Sequence, residues 1–173
     1  MTARAPWPHK KLILTSLILL SSLLALTYLS LQLKARLNYH FGGDAMEAKD
    51  FAEAVRLYEK AAHGQPRDAR MHKALGEALH ALSREKPIQE AFALEKRARQ
   101  AFEEAARLTP IDAEAHYGLG RSLVRLEQMH PFIHSGARHN PYHPLPAFQR
   151  AIELRPNGIL YRLGNVNQGF DND

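Results

Sequence analysis

The sequence predicts an all-α protein: a single N-terminal transmembrane helix followed by an α-solenoid of about three helical hairpins. Three observations carry this expectation. An uncharged run covers Leu12–Leu33, and the cations Lys10, Lys11, Lys34 and Arg36 bracket it. Across residues 37–173 one skeleton of small residues, aromatics and prolines recurs. Net charge is confined to the first segment, leaving the rest balanced.

The apolar run holds twenty-two residues; as a helix it measures about 33 Å, enough to cross a hydrocarbon core of about 30 Å. No polar face interrupts it at helical spacing, as one would in a buried core helix. A secretory signal is the competing reading, since Arg4, Lys10 and Lys11 form a basic n-region. The run exceeds the usual h-region, however, and Leu23-Leu24-Ala25 and Tyr28-Leu29-Ser30 are poor cleavage sites. An uncleaved anchor is therefore expected over residues 12–33, which would contact the lipid bilayer. The hydroxyls of Thr15, Ser16, Ser21, Ser22, Thr27 and Ser30 can bond back to the helix backbone or across to another helix. Flanking cations lean towards a cytoplasmic tail over residues 1–11 and a translocated C-terminal part.

The chain has net charge +5, yet residues 1–36 hold five cations and no acid. The remaining 137 residues carry 18 basic and 18 acidic side chains. A nucleic-acid partner thus loses its electrostatic footprint. There is no cysteine, which excludes disulfides and thiolate metal sites within the chain.

The repeats can be aligned by hand. Ala54, Tyr58, Ala61 and Pro66 share their spacing with Ala98, Phe102, Ala105 and Pro110, and Phe148, Ala151 and Pro156 repeat the second half. Leaders match as well: His72 with Leu75-Gly76, His116 with Leu119-Gly120, and Tyr161 with Leu163-Gly164 in altered register. This pattern resembles the tetratricopeptide repeat over residues 35–164. The resemblance implies paired antiparallel helices, with the small residues allowing close approach and Tyr58, Phe102 and Phe148 filling the space between hairpins. Each proline stops a helix B. Helix A of repeat one falls at about Ala35–Met46 and would continue the transmembrane run with little or no break. Extra residues lie near 83–93, expected to lengthen both arms of a hairpin, and near 127–147. Residues 165–173 read as an irregular tail, with Ile159–Leu163 as a short stub over the last hairpin.

In the family helix A lines the concave wall. Register then places Arg36, Tyr39, Gly43 and Met46 there from repeat one, and Arg70, Lys73, Glu77 and His80 from repeat two. Glu114, Tyr117, Arg121 and Val124, with Arg125 beside them, come from repeat three. Tyr39, Arg70, Lys73, Glu77, His80, Tyr117, Arg121 and Arg125 are the candidate partner-binding residues, a mildly basic and aromatic set suited to an acidic peptide. The carboxylate-clamp subclass wants Lys then Asn. Lys73 fits, but Glu77 stands in the Asn position, against a chaperone-tail clamp.

The second insertion holds His130, His134, His139 and His143, candidate metal or haem ligands by residue type. Pro131, Pro141, Pro144, Pro146 and Gly136 deny them one aligning helix, so no metal or cofactor is assigned. A loop that docks on another subunit through Phe132, Ile133, Tyr142 and Leu145 is the expectation. No nucleophile–base pattern, phosphate loop or buried carboxylate pair points to an enzyme or a small-molecule substrate. The sequence therefore reads as a membrane-anchored scaffold: an accessory subunit or assembly factor of a bacterial inner-membrane or envelope complex, with its repeats periplasmic. A histidine-loop metal or haem carrier and a cleaved, soluble periplasmic adaptor are the alternatives.

Overall fold

The computed structural model describes residues 8–133, 141–156 and 158. Among these, six helices follow one another: α1 (Pro8–Glu47), α2 (Phe51–Gly64), α3 (Ala69–Ser83), α4 (Ile88–Leu108), α5 (Ala113–Ile133) and α6 (Leu145–Leu154). Consecutive helices pack as the hairpins α1/α2, α3/α4 and α5/α6; α2 also packs on α3, α4 on α5, and α3 on α5. The expected stub and tail beyond residue 158 lie outside the described residues.

α1 runs unbroken for 40 residues, so the apolar segment and the first repeat helix are one rod of about 60 Å. It is long and apolar enough to cross a membrane. The serine and threonine hydroxyls of its apolar part are turned back on the helix: Thr15 onto the Leu12 carbonyl at 3.0 Å, Ser21 and Ser22 onto Ile18 at 2.9 and 2.8 Å, and Thr27 and Ser30 onto Leu24 and Thr27 at 2.8 Å. Ser16 donates to Leu12 likewise. None of these serine and threonine hydroxyls needs water or a second helix.

Glycines and alanines set the interhelical distances. A Cβ at Gly42 would sit 2.7 Å from Tyr58 Cε1, and one at Gly64 would meet the Ala35 Cβ at 2.7 Å. α2 therefore lies close against α1 at both ends. Phe102, fully buried, fits between Gly76 of α3 and Gly118 of α5, while Phe148 packs on Gly120. The main core gathers Tyr58, Ala74, Ala78, Leu79, Ala98 and Phe102 across the hairpins.

The joints repeat as faithfully as the core. Asp68 and Asp112, each two residues after a helix-stopping proline, cap α3 and α5 by accepting the Arg70 and Glu114 N–H groups at 3.0 Å. His72 Nε2 lies 2.9 Å from the Pro66 carbonyl, and His116 Nε2 lies 3.1 Å from that of Pro110. The two leader histidines thus close the same clasp one repeat apart.

One expectation about the helices is corrected. The first insertion does not lengthen both arms of its hairpin: α3 has 15 residues against 14 in α2, while α4 has 21. The added N-terminal turns of α4 pack on the added C-terminal turns of α5 instead. Ala91, Phe92, Leu126 and Met129 form a second buried cluster there, edged by Ile88, Ile133 and Tyr142. The two insertions stabilise each other.

Candidate functional site

The wall expected to bind is built by α3 and α5. Arg70, Lys73, Glu77 and His80 recur at three- and four-residue steps and so share one face of α3; Tyr117, Arg121 and Arg125 do the same on α5. Much of this wall is engaged by the protein itself. Arg70 binds Asp68 at 2.7 Å. Lys73 reaches across to Asp112 at 2.8 Å, tying α3 to the α4–α5 turn. Tyr39 packs its ring 5.7 Å from that of Tyr58. Burial first, then neighbouring Tyr39, Glu77 and Asp44, pushes the Tyr58 hydroxyl up to about 12.

Tyr117 is corrected. Expected on the open wall, it is only 5% exposed. Its ring packs against Phe148 at 5.8 Å and sits under the Arg121 guanidinium at 5.6 Å. Helix α6 covers it, because Ala113 and Ala151 let α5 and α6 approach closely.

At the end of the α3 stripe lies a buried ionic centre. Glu95 of α4 is fully enclosed and accepts the Ser83 hydroxyl at 2.5 Å. His80 Nδ1 stands 2.8 Å from the same oxygen, and Arg125 Nε stands 3.9 Å away. Neither nitrogen is aligned for a hydrogen bond, and Glu95 Oε2 has no hydrogen-bond partner. Arg121 Nε is likewise buried and unpartnered. Glu95, Ser83 and Asp112 went unnoticed in the sequence. Glu95 had a signal: it falls on the stripe Ala91, Glu95, Ala98, Phe102, Ala105, a carboxylate at a core position.

The second insertion divides. Ile133 and Tyr142, expected to be buried by another subunit, pack on the Phe92–Leu126–Met129 cluster of this chain. That corrects half of the docking loop. The physical reason is the extended α4, which presents Phe92 to the Tyr142 ring at 6.0 Å. Phe132 and Leu145 remain outside, 76% and 63% exposed. His130 is buried with its ring 5.8 Å from Tyr142, in a structural position rather than an open ligand site. His143 lies within the described residues, whereas His134 and His139 lie outside them. Among the described residues no group of three His, Cys, Asp or Glu side chains is placed to hold a metal.

Sequence comparison matches a tetratricopeptide repeat model to residues 39–86 and 96–129. This is a tetratricopeptide repeat (TPR) protein. The TPR fold is echoed by a solved structure, the first TPR of Spaghetti (RPAP3) bound to the HSP90 peptide SRMEEVD. That structure is 18% identical, with a TM-score of 0.57 over 81% of this chain and 95% of the other. No curated protein matches the sequence.

The Lys73–Asp112 contact gives the TPR wall a measurable acid sensitivity. Burial works to raise the Asp112 carboxyl, but the Lys73 ammonium and the Glu114 and Ala115 N–H groups outweigh it and hold it below its ordinary 3.8. A depressed folded value contributes stability above the unfolded value, which is lost as pH falls through the folded one. Asp112→Ala is expected to cost about 1–2 kcal/mol at neutral pH, the loss of a cap. Urea titrations at successively lower pH should show the gap to wild type closing below pH 3.8.

Proposed function

We propose that this TPR protein is a membrane-anchored scaffold, serving as an accessory subunit or assembly factor of a bacterial inner-membrane complex. The observation that carries the reading is α1: a span-length apolar segment and the first repeat helix are one rigid element. Apolar side chains along it stand in the open, Leu19 at 70%, and an aqueous setting would leave that surface uncovered. The cation balance favours a cytoplasmic N-terminus and periplasmic repeats. TPR modules bind protein partners, and the work proposed here is recognition rather than catalysis.

The partner's chemistry follows from what the wall leaves uncommitted. The structural neighbour holds a peptide with two Glu and an Asp. Here Glu77 stands where a clamp wants Asn, and Lys73 is engaged by Asp112, which argues against the same kind of tail. Arg121 lies over the Tyr117 ring, and Arg125, 36% exposed beside the enclosed Glu95, keeps part of its guanidinium on the surface; together they support an acidic segment laid along α5. Exposed Phe132 and Leu145 add an apolar contact beside it. Purification of the full chain in mild detergent, with mass spectrometry of what stays bound, tests this. Wild type is expected to retain a stoichiometric membrane-complex partner and Arg121→Glu to lose it with helicity unchanged. Isolation of a monomer alone would overturn the subunit reading.

A further inference from the structure

The turn between α2 and α3 does not project into open space but is fastened to α1 at the end of its apolar segment. Gln65 Nε2 donates to the Gln32 carbonyl at 3.1 Å, and Gly64 packs on Leu31 and Ala35. A cleft of about 790 Å³ opens there, lined by Tyr28 and Gln32 of α1, by Pro66 and Arg67 of the turn, by Arg70 in the first turn of α3, and by Thr109 of the α4–α5 turn. Both turns therefore meet at the level where α1 ceases to be apolar. Twenty helical residues from Leu12 end at Leu31, close to a hydrocarbon thickness of about 30 Å. The headgroup layer adds about 5–8 Å on each side, which takes in Gln32–Arg36 and hence the cleft.

The chemistry of this edge suits that layer. Arg36, Arg67 and Arg70 stand exposed around the cleft and its neighbour, against the one acid Asp68, which Arg70 holds. Arg67 has no ion-pair partner among the described residues. In the adjoining turn Ile111 is 76% exposed, though the Lys73–Asp112 bridge fixes its neighbour in place. A large aliphatic side chain held out on the same edge as the exposed Arg36 and Arg67 guanidinium groups is the composition of an interfacial contact.

We infer that this edge of the solenoid rests on the membrane, with Arg67 and Arg36 taking the phosphates of anionic phospholipids and Ile111 entering the headgroup–acyl boundary. The inference rests on α1 spanning the bilayer, and it adds that the repeats lie down on the surface instead of standing clear of it. The acceptor is a lipid headgroup, because the turn is pinned beside the exit of α1.

The absence of native cysteine makes the test direct. Single cysteines at Leu20, Ile111 and Lys86 are labelled with a fluorophore, and the full chain is reconstituted into phosphatidylcholine vesicles with or without phosphatidylglycerol and brominated lipids. Lys86 lies in the α3–α4 turn, the opposite end of that hairpin. The Leu20 label is expected to be quenched by deeply brominated chains and the Ile111 label by shallow ones, more strongly with phosphatidylglycerol. The Lys86 label is expected to stay unquenched. Arg67→Glu should reduce the Ile111 signal to the Lys86 level and leave Leu20 unchanged. Quenching at Leu20 without quenching at Ile111 overturns the edge contact while the anchor stands. No quenching at Leu20 overturns the anchor itself. Equal Ile111 quenching in both lipid mixtures overturns the assignment to anionic headgroups.

Discussion

Phe102→Ala is expected to lower the unfolding free energy by about 3–5 kcal/mol, the range for emptying a fully buried aromatic site. The ring is 0% exposed and is gripped from both sides by positions without a side chain, Gly76 and Gly118. The surrounding helices cannot collapse into the void, because their separation is also fixed by Ala74, Ala78 and Ala98. Filling the glycine instead should fail by the opposite mechanism. A Cβ at Gly118 would lie 2.3 Å from Phe102 Cε1, so Gly118→Ala is expected to cost about 1–3 kcal/mol through overpacking. Urea titration followed by circular dichroism in mild detergent measures both. A Phe102→Ala midpoint within error of wild type would show that the two hairpins do not depend on this ring.

Glu95→Lys is expected to be the most damaging charge change, costing about 3–5 kcal/mol, whereas Glu95→Gln should cost about 1–2 kcal/mol. The carboxylate is enclosed, with Ser83 donating to it and His80 and Arg125 beside it. Lysine would place a third potential cation in that space and strand the Ser83 hydroxyl. Glutamine keeps the shape and an acceptor for Ser83, so the difference between the variants isolates the charge. Thermal melts of the two, side by side, provide the check. Equal losses would mean that the introduced cation costs nothing beyond loss of the carboxylate and that packing and the Ser83 contact govern the site.

The fold could be read from the sequence because the features that specify it are spacings. Ala54, Tyr58, Ala61 and Pro66 recur at Ala98, Phe102, Ala105 and Pro110, and each member has one steric task that the structure repeats. The continuity of α1 was legible for the same reason, since nothing between Leu33 and Tyr39 breaks a helix. The wall was less so. Register says which residues face a groove, but not whether another residue of the same chain answers them. Lys73 meets Asp112, 39 positions away, and Tyr117 is covered by α6. The destination of the insertions was hidden as well: Phe92 and Leu126 belong to different repeats, and no local pattern says that two irregular additions will meet. Glu95 was visible in principle, as an acid on an alanine stripe, but its partners lie on two other helices.

The unbroken course of α1 has a mechanical consequence. A helix without a hinge passes any rotation at one end to the other. Spanning helices adjust to the local thickness of the bilayer by tilting, by about 20° on average, and a thicker membrane draws them upright. Gly64 and Gln65 lock the first hairpin to the rod beside Leu31–Ala35, so with α1 spanning a bilayer, as proposed above, the solenoid would turn with it. Lipid composition would then act as a dial on the elevation of the recognition face. A partner fixed in the same membrane would meet that face at one thickness and be offset from it at another.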